Sequence, residues 1–138
     1  MADIINFKLI TPEAVVLSEK ITAAQLPLHD GQAGILPRRA PLMAKVGLGE
    51  LRVDFPAGGS RSYVVDGGFV QMVGDKLTLL AESALPAEQL SEQEASAELA
   101  EAEARKPQTA GEMERIAHER RRARLKVDLA RRVRTSGI

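Results

Sequence analysis

The 138-residue chain is long enough for one modest hydrophobic core, or for one small domain with an appendage. Its formal net charge is zero, and its 44% hydrophobic and 28% charged residues are typical of a folded globular protein. The sequence contains no cysteine, which excludes disulfides, thiolate metal sites and cysteine nucleophiles. Its apolar runs are far shorter than the roughly 20 residues that a membrane-spanning helix needs, and its first residues predict neither a transit nor a secretory signal.

Charge is distributed unevenly along the chain. Residues 1–86 carry eight Lys or Arg against nine Asp or Glu, residues 87–106 carry two against six, and residues 107–138 carry nine against four. A nearly neutral region is therefore followed by an acidic segment and then by a basic one.

Residues 4–82 show the pattern of short β-strands separated by turns. Ile5 and Phe7 begin an alternation of apolar and polar residues, which is the period of a half-buried strand. Gly, Pro and Asp residues at 56–60 and 74–75 predict hairpin turns. Further strand-like runs occupy residues 14–18, 21–28, 42–46, 51–55, 63–65, 69–73 and 76–80. Many short strands without helices between them favour an antiparallel β-sandwich or flattened barrel.

The periodicity changes after Pro86. Residues 87–106 contain no Gly, Pro, β-branched or aromatic residue, which predicts a helix. This helix begins either at Ser91, which has capping-box spacing to Glu94, or at Pro86 as a first helical residue. After a break that contains Pro and Gly, residues 112–134 resume the helical pattern with acids early and arginines late. The sequence therefore predicts an antiparallel two-helix hairpin, whose alanine-lined stripes bury little area.

The sequence lacks the arrangements that catalysis and metal binding require. His29 and His118 have no metal-binding spacing, and neither a G-x-S-x-G motif nor a phosphate-binding loop is present. Asp66 precedes two glycines and is interpreted as a turn residue. We expect no catalytic residue, no metal and no cofactor. An enzyme remains an alternative only if a partner chain completes the site.

A basic run is the strongest local feature of the C-terminal region. It consists of Arg120, Arg121, Arg122, Arg124 and Lys126. Three interpretations are open: a surface for an acidic protein, a solvated helix face, and a contact with nucleic-acid phosphates. The neutral chain and the acidic segment before this run favour the acidic protein.

Residues 31–42, GQAGILPRRAPL, resemble the signature loop of the epsilon subunits of F-type ATP synthases, G-x-x-G-I-L-P-x-H-A-P-L. The resemblance continues in register with LITP at 9–12, G-x-G at 47–49, GGF at 67–69 and LTLLAE at 77–82. It covers the entire chain, through motifs up to residue 86 and through composition beyond it.

The resemblance implies a non-catalytic central-stalk subunit. Residues 1–86 would form a β-sandwich that binds the gamma subunit and rests on the ring of membrane rotor subunits. Residues 87–138 would form a regulatory hairpin that restrains ATP hydrolysis by contacting the alpha/beta catalytic head. The implied location is the cytoplasmic face of the bacterial inner membrane, as a peripheral protein without direct membrane insertion and without nucleic acid as a partner.

The resemblance also assigns roles to individual residues. Contacts with the rotor ring are expected from a loop that contains His29, Asp30, Gln32, Arg38 and Arg39. Contacts with the gamma subunit are expected from Gly67, Gly68 and Phe69. The shape of the signature loop is expected to depend on Gly34, Pro37 and Pro41, through backbone geometry. The inhibitory helix would use the basic run of residues 120–126.

Two departures from the family pattern limit what can be carried over. Arg38 and Arg39 stand where the family commonly has Gly-His. Residues 90–95, LSEQEA, align with the ATP-binding motif [I/L]-D-x-x-R-A but lack both its Asp and its Arg. Because an acid replaces that cation, we expect weak or no direct binding of ATP. The alternative from another class is a free-standing adaptor that uses the basic helix on nucleic acid or on an acidic protein.

Overall fold

The computed structural model describes residues 3–136, and the chain divides after Pro86 into two compact units. Residues 1–2 and 137–138, which the predicted regions included, lie outside the described residues. The first unit contains eight strands. They are β1 (Ile5–Ile10), β2 (Val15–Ile21), β3 (Ala23–Leu28), β4 (Gly31–Ile35), β5 (Leu42–Lys45), β6 (Leu48–Asp54), β7 (Ser60–Val73) and β8 (Lys76–Pro86).

The strands form one hydrogen-bonded sheet that encloses a hydrophobic core. Their order is β2-β1-β8-β7-β6-β3-β4, and β5 pairs with β7. Among the described strands, β1 and β8 form the one parallel pair, and the other pairings are antiparallel. Alternate residues of β1, Ile5, Phe7 and Leu9, are buried in the core as their period predicted.

Strand β7 bends in its middle. Its first half pairs with β6 and its second half with β5, while both halves pair with β8. Tyr63 and Val65 belong to the hydrophobic core before the bend, and Val70 and Met72 belong to it after the bend, so the core-facing residues change from odd to even positions. The bend falls at residues 67–68, where both glycines have positive φ. This change explains why the sequence predicted two strands, 63–65 and 69–73, where the structure has one.

Strand β4 lies where the sequence predicted a loop. Residues 31–35 pair with β3 from Leu28–Gly31 to Ala24–Ile35. Gly34 therefore lies in a strand, and nothing would lie within 4 Å of a β-carbon added there. The run predicted at 21–28 is divided into the end of β2 and all of β3.

The second unit is a helical hairpin preceded by one 3-10 turn, Ala87–Gln89. Helix α1 (Glu92–Ala104) begins at Ser91, whose Oγ accepts a hydrogen bond from the Glu94 backbone N–H at 3.2 Å. The capping-box start is thus confirmed, and the start at Pro86 is wrong. Helix α2 (Ala110–Ser136) follows and packs against α1. The predicted fold class, a β-sandwich followed by a two-helix hairpin, is confirmed.

Candidate interaction surfaces

An exposed apolar row crosses one face of the sandwich. Phe69 lies opposite Leu80, Leu80 lies opposite Ile10, and Ile10 lies opposite Val15 on the next strand. Met43 extends the row on β5, diagonally from Phe69. We call these five residues the apolar row. All but the partly buried Ile10 are 52 to 73% exposed. A contiguous exposed apolar patch of this kind is a candidate surface for contact with another protein.

The residues predicted to contact the gamma subunit lie at the β7 bend and beside it. Phe69 is a member of the apolar row. A β-carbon on Gly68 would lie 2.0 Å from the Leu80 carbonyl oxygen, so the strands can approach this closely only at glycine. On Gly67 a β-carbon would lie 2.7 Å from the Glu82 carboxylate. The two glycines therefore shape the bend, and Phe69 presents the side chain.

The residues predicted to contact the rotor ring fall into two groups. His29 and Asp30 form the exposed turn between β3 and β4, where the His29 backbone N–H donates to the Lys45 carbonyl at 2.9 Å. Gln32 follows on β4 and is exposed. Arg38 and Arg39 lie beyond the other end of β4. At about 3.3 Å per residue, the strand itself spans roughly 13 Å from Gly31 to Ile35, with Gln32 near its start.

Arg38 has a left-handed backbone, with φ of 68°. This conformation suits the glycine that the family commonly has here and costs an arginine free energy. The Arg38 guanidinium pairs with the Asp3 carboxylate at 2.9 Å, and both side chains are exposed. Neighbouring Pro37 is half-buried and Pro41 is exposed.

The basic run of α2 is divided between two environments. The Arg120 guanidinium donates to the backbone carbonyls of Ala102 at 3.0 Å, Glu103 at 3.3 Å and Arg105 at 2.9 Å, at the end of α1. The Lys126 ammonium pairs with Glu98 at 3.2 Å. The remaining members differ in exposure: Arg121 and Arg124 are exposed, and Arg122 is half-buried.

Further ion pairs connect the two helices. Arg131 pairs with Glu92 at 2.9 Å, and Arg105, at the end of α1, pairs with Glu119 of α2 and also with Glu101 of its own helix. The hydrogen bond from Arg105 to Glu101, followed by the negative charge of Glu119, raises the pKa of Arg105. The acidic and basic segments of the sequence therefore meet within the hairpin.

The segment aligned with the ATP-binding motif caps a helix. Ser91 is the N-cap of α1 and Glu94 lies in its first turn. Within residues 3–136, no group of three His, Asp or Glu side chains could hold a metal ion. None of the helices in the described part of the chain is long and apolar enough to cross a membrane.

Comparison with known proteins extends these observations. Residues 4–87 match the family model "ATP synthase, Delta/Epsilon chain, beta-sandwich domain". The ATP synthase epsilon chain of Rhizobium rhizogenes is 38% identical over 110 residues, which cover 75% of this chain and 82% of that protein. That of Allorhizobium ampelinum is 38% identical over 91 residues, 66% of this chain and 67% of that protein.

Solved structures support the same fold. A chain of the Euglena gracilis mitochondrial ATP synthase, in a structure of OSCP, F1 and the c-ring, superposes with a TM-score of 0.73 at 18% identity. The superposition covers 99% of this chain and 82% of that one. A chain from the central stalk and c-ring of the Tetrahymena thermophila mitochondrial ATP synthase gives 0.65 at 11% identity, over 90% and 94% of the two chains.

The fold and its exposed surfaces define a β-sandwich interaction module with a C-terminal helical hairpin. The family match and the relatives then specify the kind: this chain belongs to the ATP synthase epsilon chain family. The resemblance found in the sequence is confirmed. Because these relatives are subunits of a larger enzyme, membership agrees with a non-catalytic role and does not favour the free-standing adaptor.

Proposed function

We propose that this chain is the central-stalk subunit that couples rotation of a membrane ring to ATP synthesis in a bacterial F-type ATP synthase. The family match over residues 4–87 carries the proposal. The exposed apolar row supports it, because a stalk subunit must dock on another protein. The proposed location is the cytoplasmic face of the inner membrane, held through the other subunits.

Native purification of the complex tests this function. The gamma subunit and ring subunits should co-purify with the chain, and removing the chain should change ATP hydrolysis by the remaining complex. Recovery of the chain without either partner would contradict the proposal and favour the adaptor.

The apolar row is the proposed docking surface for the gamma subunit, with Phe69 between Leu80 and Met43 and residues 67–68 shaping the strand beside it. Replacing Phe69 with Asp should remove gamma binding, because a charge would be buried without a partner. Leu36→Asp is the matched control, since Leu36 is 64% exposed on the same unit but lies outside the row. Equal loss of binding in both variants would refute this surface.

The ring contact is proposed for the polar residues at both ends of β4. The separation of the groups allows each to be tested alone, with Asp30→Lys at the turn and Arg38→Glu with Arg39→Glu at the other end. Each change should weaken docking on the ring and leave gamma binding intact. Full ring docking by both variants would exclude these residues as contacts.

The regulatory role is proposed for α2. Arg121 and Arg124 are exposed and are thus available to an acidic surface on the catalytic head. An attraction between exposed charges would weaken as salt rises, because the screening length is about 8 Å at 0.15 M.

A further inference from the structure

Arg120 differs in its contacts from the other arginines of the basic run. Its guanidinium donates three hydrogen bonds, all to main-chain oxygens in the last turn of α1 and just after it. The last carbonyls of a helix have no partner within that helix and carry the negative end of its dipole. A cation that satisfies three of them fixes the end of α1 against α2.

The sequence around the end of α1 explains why such a contact is needed. The residue after the helix is Arg105, which has an extended backbone and no left-handed glycine to close the helix. The Arg105 N–H reaches only one carbonyl, that of Ala102 at 3.3 Å. Arg120 therefore supplies from α2 hydrogen bonds to the carbonyls of Glu103 and Arg105, and a second hydrogen bond to that of Ala102.

Helix α1 contributes little apolar area to the packing of the hairpin. The residues of α1 that are buried are Ala95 and Ala102, and alanine buries little apolar area. The ion pairs at Glu92 and Glu98 involve partly exposed side chains, and such pairs contribute about 0–1 kcal/mol each. The three hydrogen bonds of Arg120, one part-buried and two exposed, thus connect α2 to the end of α1 beside the Arg105–Glu119 pair.

We infer that Arg120 is the clasp of the hairpin: its guanidinium holds α1 and α2 closed and sets the fraction of molecules in which they separate. This inference gives Arg120 a role different from that of its neighbour Arg121, which carries the same charge on the exposed face. The inference depends on the proposed regulatory function only for its expected effect on ATP hydrolysis. If the separated hairpin is the inhibitory form, loss of Arg120 increases inhibition, whereas loss of Arg121 relieves it.

The clasp is testable in the full chain, which contains no cysteine of its own. Spin labels at Ala100→Cys and Asp128→Cys, both exposed positions on opposite helices, report the distance between α1 and α2. Arg120→Ala should populate longer distances, and α1 amides should exchange about tenfold faster or more, since hydrogen bonds to a charged donor are lost. Arg121→Ala, the matched control, should leave both unchanged.

A lysine variant distinguishes loss of the three hydrogen bonds from loss of the positive charge or of folding. Arg120→Lys retains the cation but cannot reach three carbonyls in a fixed fork, so it should give an intermediate shift. Circular dichroism should show that its helices remain formed. Unchanged distances and exchange in Arg120→Ala, or equal changes in Arg121→Ala, would overturn the clasp.

ATP hydrolysis by the reconstituted complex tests the consequence separately. The complex that contains Arg120→Ala should hydrolyse ATP more slowly than the parent complex, and the complex that contains Arg121→Ala should hydrolyse it faster. If the distances shift as expected and hydrolysis does not change, the clasp stands and the proposed regulatory function fails.

Discussion

The sandwich buries large side chains such as Phe7, Tyr63 and Leu79, whereas most of the buried residues of the hairpin are alanines. The hairpin instead brings charges of opposite sign together, at Arg131 with Glu92 and at Lys126 with Glu98. Burial of large apolar groups contributes far more free energy than exposed ion pairs do. The two regions are therefore stabilised mainly by different forces, apolar burial in the sandwich and paired charges in the hairpin.

The largest expected effect comes from the sandwich core. Leu79→Ala should lower the free energy of unfolding by about 2–5 kcal/mol, because Leu79 is fully buried. Leu80→Ala is the adjacent control and should change it by less than about 0.5 kcal/mol, since Leu80 is 52% exposed. Fluorescence of Tyr63, the single tyrosine in a chain without tryptophan, reports unfolding of the sandwich. Equal losses in the two variants would contradict the assignment of the faces of β8.

The β7 bend should be the next most sensitive feature. Gly68→Ala should destabilise the sandwich by about 2 kcal/mol or more, because φ is +121° and the Leu80 carbonyl oxygen blocks a β-carbon. Gly34→Ala should be neutral or slightly stabilising, since its surroundings are open and its φ is not positive. Urea denaturation of both variants measures the free energy of unfolding. An unchanged value for Gly68→Ala would show that the bend can relax.

A smaller effect should be confined to the hairpin. Ser91→Ala removes the N-cap of α1 and should destabilise that helix by about 1 kcal/mol, with no change in the sandwich. Ser96→Ala, at an exposed position inside the same helix, should be neutral or stabilising. Hydrogen exchange of α1 and β7 amides distinguishes the two regions. A loss of protection in β7 would mean that the units do not unfold separately.

Local periodicity was sufficient to predict the fold class. The alternation at Ile5, Phe7 and Leu9 and the composition of residues 87–106 each depend on neighbouring residues, so the sequence reveals them directly. The parallel pairing of β1 with β8 joins residues about 70 positions apart and leaves no local pattern. The bend at residues 67–68 reverses the period within one strand, and the sequence therefore predicted two.

The candidate surfaces were predictable only in part. Phe69 was identified through its motif, but its place in a row with Ile10 and Leu80 depends on strand register, which the sequence does not give. Arg38 and His29 are close in sequence, yet the unpredicted strand β4 separates them. Arg120 cannot be distinguished from Arg121 by residue type, because its partners are main-chain oxygens 15 to 18 residues away.

Amide hydrogen exchange of the full chain across a sodium chloride series tests most directly whether the two regions are stabilised by different forces. Raising salt from 0.05 to 0.5 M shortens the screening length below about 8 Å and should weaken the ion pairs of the hairpin. Exchange in α1 should accelerate about threefold or more, while β7 and β8 stay unchanged because apolar burial is not screened. Equal responses of α1 and β7, or no response in α1, would contradict this account.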